Sequence, residues 1–137
     1  KDLVPGTKRT FEDVLPAVHG SFLKPVLAVR ESGARIRGMA HITGGGLVDN
    51  VPRMLPKTVD AVFDRSSWKV PPIFTWLQEK GGVDPMEMFR VFNMGIGYVM
   101  AVPRQDAAKA LNALERAKAA PIVAGTIESG TGITRFN

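Results

Sequence analysis

The sequence contains no cysteine and only two histidines. The absence of cysteine excludes disulfide frameworks, thiolate zinc sites and cysteine nucleophiles. His19 and His41 are far apart in the sequence, which argues against a histidine-rich metal centre, and we predict no metal site in this chain. No apolar run approaches the ~20 residues that a membrane helix needs, and the first residues do not resemble a secretion signal. We therefore expect a cytoplasmic protein without a membrane partner.

Positive charge is only mildly in excess. The chain has 18 Lys and Arg against 13 Asp and Glu, which gives a net charge of +5. It lacks the dense basic stripe, interleaved with aromatic residues, that is typical of a nucleic-acid binder, so we expect no nucleic-acid partner. A basic balance also suits anionic small molecules. At 137 residues, and about 150 residues per domain, the chain predicts a single domain.

Hydrophobic periodicity, interrupted by glycine and proline, divides the chain into helices and strands. Residues 1–10 mix proline, glycine and charge and are interpreted as a linker or arm, which leaves residues 11–137 as the domain. Strands are predicted at 34–42, 59–63, 98–102 and 122–127, with an edge hairpin arm at 131–136. Helices are predicted near Phe11, after Pro25, at 47–55 with a break at Pro52, at 73–80 with a glycine cap, at 85–89 and at 104–118. Strands separated by helices indicate an α+β fold, in which a mixed β-sheet is layered with helices.

Two of the predicted helices carry signals for individual side chains. Asp84 is an N-cap carboxylate, Pro85 occupies the first helical position, and Glu87 is placed to bond back to the cap. In the helix 104–118 the spacing predicts an inward face of Ala107, Leu111 and Leu114.

Glycine is concentrated in two segments where a predicted strand meets a loop. The first segment follows His41 and consists of Thr43, Gly44, Gly45 and Gly46. Three successive glycines let backbone N–H groups converge on one anion, and the Thr43 hydroxyl adds a donor. A tight turn explains the same glycines equally well. His41 fits either a general base or a hydrogen-bonded core histidine, and the residues alone favour the core interpretation.

The second segment, Phe92-Asn93-Met94-Gly95-Ile96-Gly97, precedes the predicted strand 98–102. Asn93 offers a donor and an acceptor in this loop, and Glu87 offers a carboxylate nearby in the sequence. The simpler interpretations are a turn-capping asparagine and the capping partner of Asp84, and each is favoured on the residues alone.

The strings from His41 to Pro56 and from Phe92 to Gly97, taken together, resemble a known family. They are similar to the C-terminal half of the phosphoribosylformylglycinamidine cyclo-ligases, also called aminoimidazole ribonucleotide synthetases. The likeness includes Ser66-Ser67-Trp68, residues 73–78 and Glu87-Met88, and it covers roughly residues 23–127. It implies an enzyme of purine biosynthesis that uses ATP and magnesium to close the imidazole ring of formylglycinamidine ribonucleotide.

The resemblance also implies a mechanism and a set of site residues. The formyl oxygen is phosphorylated, an amidine nitrogen attacks, and phosphate leaves. Such chemistry needs donors that stabilise anions and a base for the attacking nitrogen. His41 is the candidate base. The residues implied for substrate binding are Lys24, Thr43, Gly44, Gly45, Gly46, Asn50, Arg53, Asn93, Gly95 and Gly97.

The chain departs from this family in two respects. It lacks the N-terminal half that, in the family, binds most of the ATP, supplies acidic magnesium ligands and forms the dimer. The segment 14–22 also differs from the stretch expected before Lys24. We therefore expect a C-terminal substrate-binding domain that is inactive alone, binds no cofactor by itself and, with the missing half, forms a homodimer. Two alternatives stay open: another ATP-dependent member of the same superfamily, and a non-catalytic anion-binding or regulatory module.

Overall fold

Two small β-sheets and six α-helices make up residues 2–137, the part of the chain that the computed structural model describes. The helices are α1 (Phe11–Val14), α2 (Leu23–Glu31), α3 (Gly46–Asn50), α4 (Pro72–Gly81), α5 (Pro85–Val91) and α6 (Ala107–Arg116). The strands are β1 (Gly38–His41), β2 (Val59–Phe63), β3 (Tyr98–Ala101), β4 (Gly125–Ser129) and β5 (Thr134–Phe136). Single 3-10 turns occupy Val51–Met54, Arg65–Ser67 and Arg104–Asp106. The α+β prediction is confirmed.

The five strands form two separate sheets. Strands β1 and β3 make an antiparallel ladder in which Gly38 pairs with Ala101 and His41 pairs with Tyr98. Strand β2 is the centre of the other sheet, with β4 antiparallel on one side and β5 parallel on the other. This second sheet is mixed, as the sequence predicts.

The C-terminal strands differ from the predictions. The prediction of a core strand at 122–127 was wrong, since β4 begins at Gly125. All residues of β4 are exposed because it is an edge strand of the sheet, paired with β2. The apolar Val123, which suggested a core strand, lies before β4 and is 61% exposed. The hairpin arm at 131–136 was also wrong, since β5 pairs with β2 and in parallel orientation.

A buried carboxylate explains how the chain crosses from one side of β2 to the other. Asp60 is 5% exposed, and its Oδ1 accepts hydrogen bonds from the backbone N–H groups of Thr131 (2.7 Å), Gly132 (3.0 Å) and Ile133 (3.0 Å). Its Oδ2 is 3.0 Å from Nε of Arg135. The N–H groups, that of Ile133 foremost, hold the pKa of Asp60 below its ordinary value. The crossover loop is therefore wrapped around one ionised side chain.

The main hydrophobic core lies where the end of β1, α3, α5 and β2 meet. Ile42, Leu47, Val51 and Met88 are completely buried there. Ile42 directly follows β1 and Leu47 is the second residue of α3. The four residues between them, including the three glycines, are thus held at both ends by core side chains.

A second cluster joins α2 to α6. Val29 is completely buried against Ala110 and Ala113. The predicted inward face of Ala107, Leu111 and Leu114 is only half-buried. The difference has a physical reason: small alanines let two helices approach closely, and the leucines then flank the contact.

Helix ends follow the predictions in part. Asp84 Oδ1 accepts hydrogen bonds from the N–H groups of Met86 (2.8 Å) and Glu87 (3.2 Å), so Asp84 is the predicted N-cap. The Glu87 carboxylate lies 3.7 Å from Arg90 instead of completing the reciprocal bond. Helix α4 ends at Gly81 and is capped by Gly82 with φ of 58°, which is the predicted glycine cap.

Residues 2–10 fold back on themselves. Leu3 and Thr10 form an isolated antiparallel bridge, and Val4 between them is buried. Thr10 Oγ1 accepts from the Asp13 N–H at 3.2 Å, and Asp13 accepts from the Thr10 N–H at 3.0 Å, which caps α1. In the described part of the chain, no helix has the length and apolar character needed to cross a bilayer.

Candidate functional site

The two glycine segments lie side by side at one end of the β1–β3 ladder. The first leaves β1 after His41, and the second enters β3 before Tyr98, which is the residue paired with His41. The Ile42 N–H donates to the Gly97 carbonyl at 3.0 Å, so the ladder continues by one hydrogen bond into both segments. We call residues 42–46 the first loop and residues 93–97 the second loop. The antiparallel register therefore brings together motifs that are distant in the sequence.

The first loop is a tight turn whose amides are not all used within the protein. The Gly46 N–H donates to the Thr43 carbonyl at 3.0 Å, and Gly45 adopts φ of 98°, a conformation that favours glycine. Within residues 2–137, the N–H groups of Gly44 and Gly45 donate to no protein acceptor. Both interpretations of this loop thus have support: it is a turn, and it leaves two successive donors free.

Asn50 holds the first loop from beneath. It is 4% exposed, and its Nδ2 donates to the carbonyls of Gly46 (2.8 Å), Gly44 (3.2 Å) and Thr43 (3.4 Å). The Thr43 hydroxyl donates to Asn50 Oδ1 at 3.4 Å. One buried amide therefore binds the loop carbonyls on the inner side, and Asn50 acts through the loop rather than facing solvent.

The three glycines of the first loop have different surroundings. A side chain on Gly46 would overlap the carbonyl oxygen of Phe89, because α3 packs directly against the end of α5. A Cβ on Gly45 would come within 2.8 Å of the Asp49 Cβ. A Cβ on Gly44 would meet no atom within 4 Å. Gly46 and Gly45 are thus required by the fold, whereas Gly44 borders open space.

The second loop is held by a turn and a tryptophan. Asn93 Oδ1 accepts from the Gly95 N–H at 2.9 Å, so the turn-capping interpretation of Asn93 describes its geometry. Met94 is buried with φ of 50°, and its carbonyl accepts from Trp68 Nε1 at 3.0 Å. A Cβ on Gly95 would lie 2.6 Å from Pro71 Cδ. Contacts with residues 68–71 therefore fix this loop.

His41 is exposed at the mouth of the two loops, so the core interpretation of this histidine was wrong. Its ring belongs to an aromatic cluster, which we define as His19, Phe22, His41 and Tyr98. The His41 ring lies 5.1 Å from that of His19, 5.6 Å from Phe22 and 6.1 Å from Tyr98, measured between centroids. The Phe22 ring also covers Gly97, where any side chain would overlap it.

Sequence reasoning missed three members of this cluster. His19 and Phe22 lie in the segment whose sequence departs from the expected pattern, and Tyr98 was read only as the start of a strand. No local pattern links these residues, since their contacts depend on β1 pairing with β3 and on the path of residues 15–22. The only hint is rarity: the chain has two histidines and one tyrosine.

Comparison with known proteins finds a family model and individual relatives that match most of this chain. The family described as "AIR synthase related protein, C-terminal domain" matches residues 18–136. The chain belongs to this family. It is similar to the phosphoribosylformylglycinamidine cyclo-ligases of Bacillus licheniformis and Bacillus subtilis, each 46% identical over 82% of this chain and 32% of the relative. The cyclo-ligase of Lawsonia intracellularis is 41% identical over 93% of this chain and 36% of the relative. The chain thus spans about a third of the length of these relatives.

Two cations predicted for the site of this AIR synthase related domain are less closely tied to the loops. Lys24 lies in the first turn of α2, two residues after Phe22, and Arg53 lies in the 3-10 turn after α3. Both side chains are exposed. In residues 2–137 neither makes a hydrogen bond or an ion pair. The structure thus brings the loop residues and His41 together, and within residues 2–137 it shows no polar contact between either loop and Lys24 or Arg53.

Three acidic groups of the AIR synthase related domain have a lowered pKa, and the partners that lower it belong to neither loop. Hydrogen bonds from Arg35 lower the pKa of Asp106, those from Ser66 lower that of Asp64, and those from Thr10 lower that of Asp13. Across residues 2–137, no three His, Asp or Glu side chains come together in a way that would hold a metal ion. Because Mg²⁺ prefers several oxygen ligands, the donor set of this domain does not fit that ion.

Proposed function

We propose that this domain is the substrate-binding part of a phosphoribosylformylglycinamidine cyclo-ligase. The complete enzyme would convert formylglycinamidine ribonucleotide and ATP into aminoimidazole ribonucleotide in purine biosynthesis. The identity to cyclo-ligases supports this proposal, and so does the adjacency of the two motifs that carry the resemblance. ATP, magnesium and the contacts of a homodimer would belong to an N-terminal half, and the whole would work in the cytoplasm.

One observation carries the proposal: Gly44 and Gly45 offer successive free N–H groups, and Gly44 borders open space. Backbone donors that are fixed before the ligand arrives bind a phosphate without further ordering of the loop. Asn50 supplies that order, since it binds the loop carbonyls on the opposite side. We infer that the first loop holds the phosphate of the ribonucleotide, with the Thr43 hydroxyl as a further donor once it turns away from Asn50 Oδ1.

The position of His41 suits a base in the ring closure. Once the formyl oxygen carries the phosphoryl group, the amidine nitrogen attacks the formyl carbon, the carbon–oxygen bond breaks and phosphate leaves. The nitrogen must lose a proton in this sequence, and a neutral imidazole accepts one near pH 7. His41 is exposed next to both loops, so a substrate whose phosphate lies on the first loop would have its reacting end within reach. The second loop, through Asn93, Gly95 and Gly97, would line the opposite side.

The experiment that tests the proposal is an assay of the complete natural protein that contains this sequence. The protein is given formylglycinamidine ribonucleotide with and without ATP, and aminoimidazole ribonucleotide is measured. ATP-dependent product supports the cyclo-ligase. Binding of the ribonucleotide without product, whatever the ATP concentration, would favour a non-catalytic anion-binding module. Transfer of the ATP phosphoryl group to a different acceptor would favour another member of the superfamily.

A further inference from the structure

The two histidines of the chain meet at the surface. His19 comes from the irregular segment before α2 and His41 from the last position of β1, and both side chains are exposed. Their ring centroids are 5.1 Å apart, with the ring planes at 83°. Two imidazoles that share one exposed spot can serve as a pair of ligands for transition ions.

The hydrogen bond of His19 leaves the other ring nitrogen available. Nδ1 of His19 lies 3.0 Å from the carbonyl oxygen of Gly20. Because a carbonyl oxygen only accepts, Nδ1 carries the proton in the neutral ring, and Nε2 keeps its lone pair. Histidines that bind metals almost always donate their second ring N–H to a carbonyl or carboxylate in this way.

The separation of the rings matches that of two imidazoles on one ion. A Zn–N bond of 2.0–2.1 Å and a further ~1.1 Å to the ring centroid place each centroid about 3.2 Å from the metal, and a tetrahedral angle then separates the centroids by about 5 Å. The torsion that turns a histidine ring about its Cβ–Cγ bond has a broad minimum. The exposed His41 ring can therefore turn a nitrogen toward an ion on Nε2 of His19 while His19 keeps its hydrogen bond to Gly20.

Two aromatic rings flank the histidine pair, and neither adds a metal ligand. Phe22 lies 5.6 Å from each imidazole ring, and Tyr98 is stacked against His41 at 6.1 Å. The Tyr98 hydroxyl donates to the sulfur of Met39 at 3.7 Å and so points to Met39 instead of the histidine pair. Since no third His, Asp or Glu joins the pair in residues 2–137, water or an added ligand would fill the remaining coordination positions.

We propose that His19 and His41 form a two-imidazole site for a divalent first-row transition ion such as Zn²⁺. Imidazole nitrogen selects Zn²⁺, Ni²⁺ and Cu²⁺ over Mg²⁺. The site needs only the two rings and does not rest on the cyclo-ligase proposal. If that proposal also holds, the ion binds the His41 nitrogen that acts as the base. Zn²⁺ then inhibits turnover, because it competes with the substrate proton for that nitrogen.

The test is calorimetric titration of the untagged 137-residue chain with ZnCl₂ alone, in a buffer that does not bind metals, near pH 7.5. We expect one Zn²⁺ per chain, and no heat of binding with MgCl₂. His19→Ala and His41→Ala each weaken Zn²⁺ binding at least tenfold, because either change leaves a single ligand. Tyr98→Phe is the matched control, which keeps both imidazoles and binds within twofold of the unchanged chain.

Two outcomes would overturn the site: a dissociation constant weaker than ~1 mM for the unchanged chain, or His19→Ala binding as tightly as the unchanged chain. Circular dichroism of each variant checks that the fold is retained. If either alanine variant unfolds, His19→Gln or His41→Gln replaces it, since glutamine keeps a polar side chain but is a poor zinc ligand.

Discussion

At the scale of single residues, His41 is the group on which the proposed chemistry depends most. In the complete enzyme, His41→Ala is expected to lower kcat by about 10²–10⁴ and to leave KM for the ribonucleotide nearly unchanged, because a base acts in the transition state. Steady-state kinetics measures both constants. His19→Ala, which removes only the neighbouring ring, is the control and is expected to keep most of the turnover. Loss of kcat in both variants to the same extent would contradict the assignment to His41.

Asn50 is the residue that determines the shape of the first loop. Asn50→Asp replaces the donating amide with an oxygen while the volume stays the same, so three loop carbonyls would face an acceptor. We expect the free energy of unfolding to fall by at least ~2 kcal/mol. Urea denaturation measures it, and Asn112→Asp on the exposed face of α6 is the control. Equal stability of the two variants would show that Asn50 does not hold the loop.

Single residues were the least predictable from the sequence. The identity of the glycine loop was clear, yet the distinct surroundings of Gly44, Gly45 and Gly46 depend on α5 and Asp49, which no local pattern reveals. The exposure of His41 depends on its place at the end of a two-stranded ladder. Local sequence gives the type of a side chain, whereas long-range pairing decides what it faces.

At the scale of elements, the crossover around Asp60 joins β5 to the sheet. Because its folded-state pKa is lowered, Asp60 contributes stability that is complete above the ordinary aspartate pKa of about 3.9 and is lost as pH falls through the lowered value. The loss of stability between pH 7 and pH 2 is therefore expected to be smaller in Asp60→Asn than in the unchanged chain.

Urea denaturation across this pH range provides the measurement. Glu79→Gln, which removes one negative charge from an exposed side chain of α4, controls for net charge. Identical pH dependence in Asp60→Asn and the unchanged chain would show that the loop does not depend on the ionised carboxylate.

Elements with strong local signals were predicted well, and those defined by distant partners were not. Strand β2 occupies the predicted residues 59–63, and the helix starting after Asp84 has the predicted cap. The parallel pairing of β5 was missed because it depends on Asp60, which lies 71 residues before Thr131. Likewise β4, an exposed edge strand, lacks the apolar pattern by which strands are recognised.

At the scale of the whole molecule, the fold acts as a frame that brings two loops to one end of a short ladder. Neither loop is complete alone: the first is packed against α5 through Gly46, and the second is held by Trp68. The fold class and the identity of both motifs followed from the sequence. Their adjacency did not, because the sequence contains no indication that β1 pairs with β3.

The most direct test of the account is Gly44→Val in the complete enzyme. A Cβ on Gly44 meets no atom within 4 Å, so the fold is expected to keep its melting temperature, whereas the new side chain occupies the space proposed for the phosphate. We predict that KM for the ribonucleotide rises at least tenfold, which is about 1.4 kcal/mol, and that Ala119→Val in an exposed loop changes nothing. A Gly44→Val enzyme with normal KM and normal melting temperature would contradict phosphate binding by the first loop.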